Sequence, residues 1–202
     1  MKFADIFDNA LLYKLFQFSV ISNSSRLRIR DEVLKPIGVK KVLDFGCGIG
    51  YHSLDFSDSN YLGIEPLSSC VDKADKMYRA NNANFIVGDH STLTSIPDSS
   101  FDVVIAIGVL HHIDDEIFFK FVKEAHRILK PGGRLTTFDP VFHPNQSILS
   151  RWVVARDRGE WVRTREEYLL PVRDAFQGQV SDNIYQRLLR IPYDHIHMEA
   201  RK

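Results

Sequence analysis

Three glycines at alternate positions, Gly46, Gly48 and Gly50, stand directly behind the apolar run Val42-Leu43-Asp44-Phe45. Alternate glycines remove the side-chain carbons that keep a ligand away from the main chain, and they permit the positive φ of a tight turn. A helix opening near Tyr51 would aim its free N–H groups and positive dipole end at the same turn, which makes a cofactor cradle. Asp44 adds a sign, since a carboxylate there repels a pyrophosphate but attracts an ammonium group. Beyond the turn, the run Tyr61-Leu62-Gly63-Ile64 ends in Glu65. In a doubly wound sheet an acid at that place accepts both ribose hydroxyls, and the plainer alternative is a carboxylate at a helix start. A third run, Asn84 to His90, reads as a strand that again ends in an acid, Asp89, and a fourth, Phe101 to Leu110, leads to His111-His112, a residue type that titrates near neutral pH. Adjacent histidines point in different directions, and no cysteine or third histidine follows at ligand spacing, so no metal site is expected.

The elements that must hold these residues alternate between strand and helix. Lys41–Phe45 is a short buried strand, and a short helix from Tyr51 to about Phe56 leads to the strand ending at Glu65. The next helix carries Cys70, Val71, Ala74, Met77 and Tyr78 on one face, read as core packing. Asp114 caps a helix whose stripe is Ile117, Phe118, Phe121, Val122, Ala125, Ile128 and Leu129, with Ile113 and Phe118 as its hydrophobic staple. Lys130-Pro131-Gly132-Gly133 ends it, and Arg134–Phe138 is a fifth strand. Toward the N-terminus, Phe3 to Ile21 has a helical stripe, and Ser24 or Ser25 caps a second helix carrying Leu27, Val33 and Leu34. Gln146 to Ala155 reads as helix, Thr164 and Glu167 have capping-box spacing for a helix to about Phe176, and Val180–Tyr185 and His195–Ala200 are extended.

The motif Leu43-Asp44-Phe45-Gly46-Cys47-Gly48-Ile49-Gly50, with Phe101 through Arg134 and its Leu129-Lys130-Pro131-Gly132-Gly133-Arg134-Leu135 segment, resembles the class I S-adenosylmethionine (SAM)-dependent methyltransferases. The resemblance implies an α/β, Rossmann-like, doubly wound and mostly parallel sheet with a C-terminal antiparallel strand pair. It implies SAM as cofactor and S-adenosylhomocysteine as product, held by Asp44, Gly46, Cys47, Gly48, Gly50, Glu65, Pro66, Asp89, His90 and Gly108. Within that set Asp89 would accept from the adenine amino group and the His90 main chain would meet the ring, while a turn-forming role is the alternative for Asp89. His111 and His112 would lie beside the sulfur, one serving as base for a hydroxyl acceptor or both lining the pocket. A single domain is expected over 1–202, with an N-terminal helical lid at 1–38, a cofactor-binding core at 39–142 and an acceptor-side elaboration at 143–202. Tyr13 is a candidate lid contact. The nicotinamide fingerprint Gly-x-Gly-x-x-Gly is not met, because residue 51 is tyrosine.

Composition narrows the partners. The chain has 202 residues, 44% hydrophobic and 26% charged, so a single packed core is feasible. A formal net charge of zero gives no electrostatic case for nucleic-acid binding. No apolar run approaches the roughly 20 residues needed to span a bilayer, and Asp5 lies where a signal peptide would be apolar, so a cytoplasmic location is expected. Cys47 and Cys70 read as reduced thiols. Arg151, Arg156, Arg158, Arg163, Arg165 and Arg173, interleaved with Trp152, Trp161 and Tyr168, could recognise an anionic or sugar-linked acceptor, or could be neutralised by Asp157, Glu160, Glu166, Glu167 and Asp174. Methyl transfer to a small molecule is the leading expectation, and a methyltransferase-like binding or regulatory domain the alternative. Oligomeric state is open.

Overall fold

A computed structural model describes residues 22–79 and 82–202; the expected Phe3–Ile21 helix and Tyr13 lie outside the described residues. The strands form one sheet in the order β3-β2-β1-β4-β5-β7-β6. They are β1 Lys41–Phe45, β2 Asn60–Glu65, β3 Ala83–Val87, β4 Phe101–Ile107, β5 Leu129–Pro140, β6 Val180–Tyr185 and β7 His195–Arg201. Strands β1 to β5 run parallel, and β7 pairs antiparallel with both β5 and β6, as the expected terminal pair requires. The order turns back at β1, since β2 and β3 lie on one side and β4 on the other. That is where a doubly wound sheet opens a crevice at its carboxyl edge.

Helices cover both faces, and the alternation along β1 decides which residues meet which. On one face Leu43 and Phe45 pack with Phe118, Phe121 and Val122 of α3 (Asp115–Ile128) and Leu169 and Val172 of α5 (Arg165–Ala175). On the other, Val42, Tyr61, Val103 and Ile105 pack with Val71 and Ala74 of α2 (Ser68–Tyr78). The first described helix, α1 (Asn23–Arg28), continues through a wider π turn, Ile29–Leu34, that buries Val33 and Leu34. The remaining helix, α4 (Ile148–Val154), lies between β5 and α5.

Local signals hold where the sequence carries them. Asp114 accepts from the Ile117 N–H at the start of α3, and Thr164 and Glu167 form the reciprocal capping box of α5. Five expectations are corrected. The cap of α1 is Ser22, which accepts from Ser25 N, while Ser25 turns inward to the Leu188 carbonyl. Leu27 and Met77 are half exposed, because each falls off the buried stripe of its helix. The helix after the glycine turn is only a 3₁₀ turn, Tyr51–Leu54. Strand β5 begins at Leu129, since Leu129 itself pairs with Phe101 before the register shifts and Val103 pairs with Arg134. Finally, β3 stops at Val87, and Asp89 instead caps the 3₁₀ segment His90–Ser95.

Candidate active site

The glycine turn is tied to its neighbouring strand by main chain. The Gly46 and Cys47 N–H groups both donate to the Ile64 carbonyl, at 2.8 and 3.1 Å. Gly48 has φ +54°, and a Cβ built there would meet nothing within 4 Å, so bare main chain faces open space. Its N–H donates to Glu65 Oε2 at 3.0 Å, while Oε1 accepts from Leu67 N at 3.1 Å. Glu65 is 8% exposed. A carboxylate offers about four acceptor sites, so two protein donors leave roughly one on each oxygen, the number two ribose hydroxyls need. Pro66 follows on the surface.

Asp44 lies beneath this turn rather than in it. It is 1% exposed and accepts from the Tyr61 hydroxyl across the β1–β2 pair. Burial pushes its pKa up to about 6, against the opposing pull of His52 and Tyr61. Cys47 is also buried, and burial raises its thiol further. At the end of β3, the Gly88 N–H donates to the Glu65 carbonyl at 3.1 Å, which brings Asp89 to the same edge. Asp89 is exposed; its Oδ1 accepts from Ser91 N and Ser91 Oγ, and these bonds hold its pKa low. The turn-forming role is therefore observed for Asp89. His90 opens the 3₁₀ segment beside it.

At the end of β4, Gly108 (φ +69°) leads into the 3₁₀ turn Leu110–His112. The two histidines part company there. His111 is buried with both ring nitrogens facing carboxylates: Nδ1 lies 2.8 Å from Asp139 Oδ1 and Nε2 lies 3.3 Å from Asp157 Oδ1. Asp139, at the end of β5, is wholly buried, and its Oδ1 also accepts from Leu110 N at 2.8 Å. Asp157, in the loop after α4, accepts from Gly159 N and from the Tyr193 hydroxyl. Burial and Asp157 push the Tyr193 phenol well above its ordinary pKa, so it stays a donor. His112 is exposed, its ring 4.0 Å from that of His111. Only His112 of the pair reaches solvent.

The Asp139–His111–Asp157–Tyr193 network was not among the sequence candidates. One signal existed, since Asp139 ends the run Leu135–Phe138 as Glu65 ends β2. In the Arg151–Arg173 segment the neutralising alternative holds at Arg165 and Arg173, which lie 2.8 and 4.0 Å from Glu166. Arg163 is 5% exposed and donates to the Leu110 and Ile113 carbonyls at 2.7 and 2.8 Å, bracing the histidine turn. Arg165 pairs with Asp182, and Tyr168 is fully buried beside Phe118. These three do not form an acceptor wall. Among the described residues no cluster suited to a metal ion is found, and no helix is long and apolar enough to cross a membrane.

The glycine turn, Glu65, Asp89, Gly108 and the histidine turn thus share the carboxyl edge of adjacent parallel strands. Residues 42–133, spanning β1 to the opening of β5, match the family model of a methyltransferase domain. The 27-O-demethylrifamycin SV methyltransferase of Amycolatopsis mediterranei is 33% identical over 111 residues, covering 52% of this chain and 40% of that protein. A probable tRNA methyltransferase 9B of Bos taurus is 27% identical over 135 residues, covering 66% of this chain and 28% of that one. The chain therefore spans less than half the length of these two curated relatives. A crystal structure of a SAM-dependent methyltransferase from Archaeoglobus fulgidus superposes with TM-score 0.72 at 18% identity, covering 94% of this chain and 99% of the other, a likeness of fold. The family model falls on the strands that carry the glycine turn and both acids, so residues 42–133 are similar to the methyltransferase domain of class I SAM-dependent enzymes.

Proposed function

We propose that this chain binds SAM across the carboxyl ends of β1 to β4 and transfers its methyl group to a small-molecule acceptor. The observation that carries the reading is the bond from Gly48 N to Glu65, which joins the bare main chain of the turn to an acid with acceptor capacity left over. In this assignment the Gly46–Gly50 turn, with Cys47, receives the amino-acid end, and buried Asp44 attracts its ammonium from below. Glu65 and Pro66 flank the ribose, Asp89 and His90 the adenine, and Gly108 the sulfur. When bound, SAM supplies a carbon already activated by its sulfonium charge, so the chain's own tasks are positioning and water exclusion. Arg163, Asp139 and Asp157 hold the Leu110–Ile113 turn in place, His111 is a positioning residue, and His112 takes a proton where the acceptor is a hydroxyl.

The division into a lid at 1–38, a core at 39–142 and an acceptor half at 143–202 belongs to the same reading, as does a cytoplasmic location. The rifamycin-type relative supports a small acceptor. An anionic or sugar-linked acceptor has its best support in a recess of about 210 Å³ lined by Arg28, Arg187, Arg190, Ser22, Ser24 and Ser25. It adjoins α1, whose Arg26 stacks on Tyr51 just past the glycine turn, 4.5 Å from the ring centre. Zero net charge still argues against nucleic acid as acceptor, the tRNA-type relative notwithstanding.

Calorimetric titration with S-adenosylhomocysteine tests cofactor binding. Binding that Glu65→Ala weakens at least about tenfold is expected, and a well-folded chain that binds none contradicts it. A second reading, a methyltransferase-like binding or regulatory domain, is favoured by one observation, the engagement of both His111 nitrogens. Labelled cofactor incubated with cell extract separates the two, because methyl transfer to a small molecule excludes the non-enzymatic reading.

A further inference from the structure

Helix α4 presents the wrong face to solvent. Ser147 caps it by accepting from Ser150 N, and that start fixes the rotation of everything after it. Ser150 and Val154 then face the core at 1% exposure each. On the opposite side stand Ile148, 90% exposed, Leu149 at 58% and Trp152 at 54%. An ordinary surface helix puts charge there. Leaving such side chains in water forgoes the gain that burial would bring.

Two arginines flank the patch. Arg151 and Arg156 are exposed within it, the Arg156 guanidinium 3.9 Å above the Trp152 ring and Arg151 5.4 Å from that of Phe142. Arg158 is exposed just beyond. The acid between them, Asp157, contacts His111 and Tyr193, and Glu160 is exposed past Arg158. A cationic rim around an aliphatic and tryptophan centre, on a chain of zero net charge, is a local feature.

We infer that α4 is a docking surface for an anionic lipid membrane, with Ile148, Leu149 and Trp152 seated at the headgroup boundary and Arg151 and Arg156 on the lipid phosphates. This is shallow interfacial contact and not a span. Tryptophan favours that boundary because one edge is apolar and the other donates a hydrogen bond. Single-stranded RNA would use the arginines and the indole but would leave Ile148 and Leu149 in water. A second copy of the chain would have to bring an acidic face to meet the arginines. The inference does not depend on which acceptor is methylated.

Flotation of the full chain with extruded vesicles tests it, using phosphatidylcholine alone and phosphatidylcholine with about one third phosphatidylglycerol. The chain is expected to float with the anionic vesicles, with a blue shift in tryptophan emission and release in about 0.5 M salt. Ile148→Asp with Leu149→Asp should lower partitioning at least about tenfold and leave S-adenosylhomocysteine affinity and the thermal midpoint unchanged. Trp152→Ser should remove the blue shift. No flotation with anionic vesicles, or flotation that the double substitution leaves intact, overturns the inference. So does finding that the double substitution abolishes only a concentration-dependent dimer, or only binding to a tRNA probe.

Discussion

Gly46 and Gly48 look interchangeable in the motif, yet their surroundings assign them different work. A Cβ at Gly46 would lie 2.5 Å from Val109 Cγ2, whereas one at Gly48 would meet nothing. Gly46→Ala is therefore expected to destabilise the fold by overpacking, about 1–3 kcal/mol on top of the left-handed strain, with Val109→Ala recovering part of it. Gly48→Ala should cost only the backbone strain, about 1–2 kcal/mol, while weakening S-adenosylhomocysteine binding. Urea unfolding beside calorimetry separates these outcomes, and equal effects of the two on stability and binding would contradict the assignment. Asp44 makes a pH prediction at the same scale. Burial raises its pKa to about 6, so the protonated form contributes stability that is fully present below the unfolded value near 3.9 and is lost as pH rises through 6. A cofactor ammonium nearby would favour the ionised form. Affinity for S-adenosylhomocysteine should then rise as pH is raised through about 6 with release of a proton, and Asp44→Asn should flatten that dependence. A pH-independent affinity in the parent chain would remove Asp44 from the cofactor site.

Among the elements, the β4–α3 connection is where long-range contacts do the most. Asp139 accepts from Leu110 N, His111 N and His111 Nδ1. Asp139→Ala leaves those donors buried and unpaired, so a loss of more than about 3 kcal/mol is expected in urea unfolding, and a loss under about 1 kcal/mol would mean the turn holds without it. Gly159 packs so closely that a Cβ there would sit 2.2 Å from His111 Cδ2. Gly159→Ala should thus displace the Asp157 loop and expose His111 to hydrogen exchange. Strand β1, the Asp114 cap and the Thr164–Glu167 capping box were legible in the sequence because each is encoded within a few residues. The parallel sheet and its antiparallel end followed from the alternation of those segments and the family resemblance. The histidine network was not legible, because Asp139, Asp157 and Tyr193 are far apart in the chain and meet only when β5, the loop after α4 and the β6–β7 connection converge. Arg163 misled for the same reason, since its partners, the Leu110 and Ile113 carbonyls and the Asp115 carboxylate, lie about fifty residues away in the turn after β4 and at the start of α3. Ser22 was passed over in favour of Ser24 and Ser25 because three hydroxyls in four positions offer the same local cap.

For the whole molecule, acid is the expected weakness. His195 and His197 on β7 are buried, and burial lowers both pKa values to about 4. His195 lies flat on Phe138, with ring centres 4.6 Å apart, and His197 Nε2 is 3.1 Å from Thr136 Oγ1. Unfolded histidine binds its proton near pH 6.5, so between about 6.5 and 4 the unfolded chain takes up protons that the folded chain refuses, and stability falls as pH falls. The two β7 histidines act in this direction, with Asp44 and His52, both shifted upward, acting against them, and a net loss is expected across that window. Urea midpoints at a series of pH values check this; stability that holds or rises on acidification would mean the β7 histidines are not held neutral. The central claim is that adjacent strand ends together hold one SAM molecule, and a crystal structure of the chain with S-adenosylhomocysteine measures it most directly. The account predicts the ribose hydroxyls on Glu65, the amino-acid end against the Gly46–Gly50 main chain and the adenine beside Asp89. A nucleoside bound elsewhere, or one lying across β1 with Glu65 untouched, would contradict it.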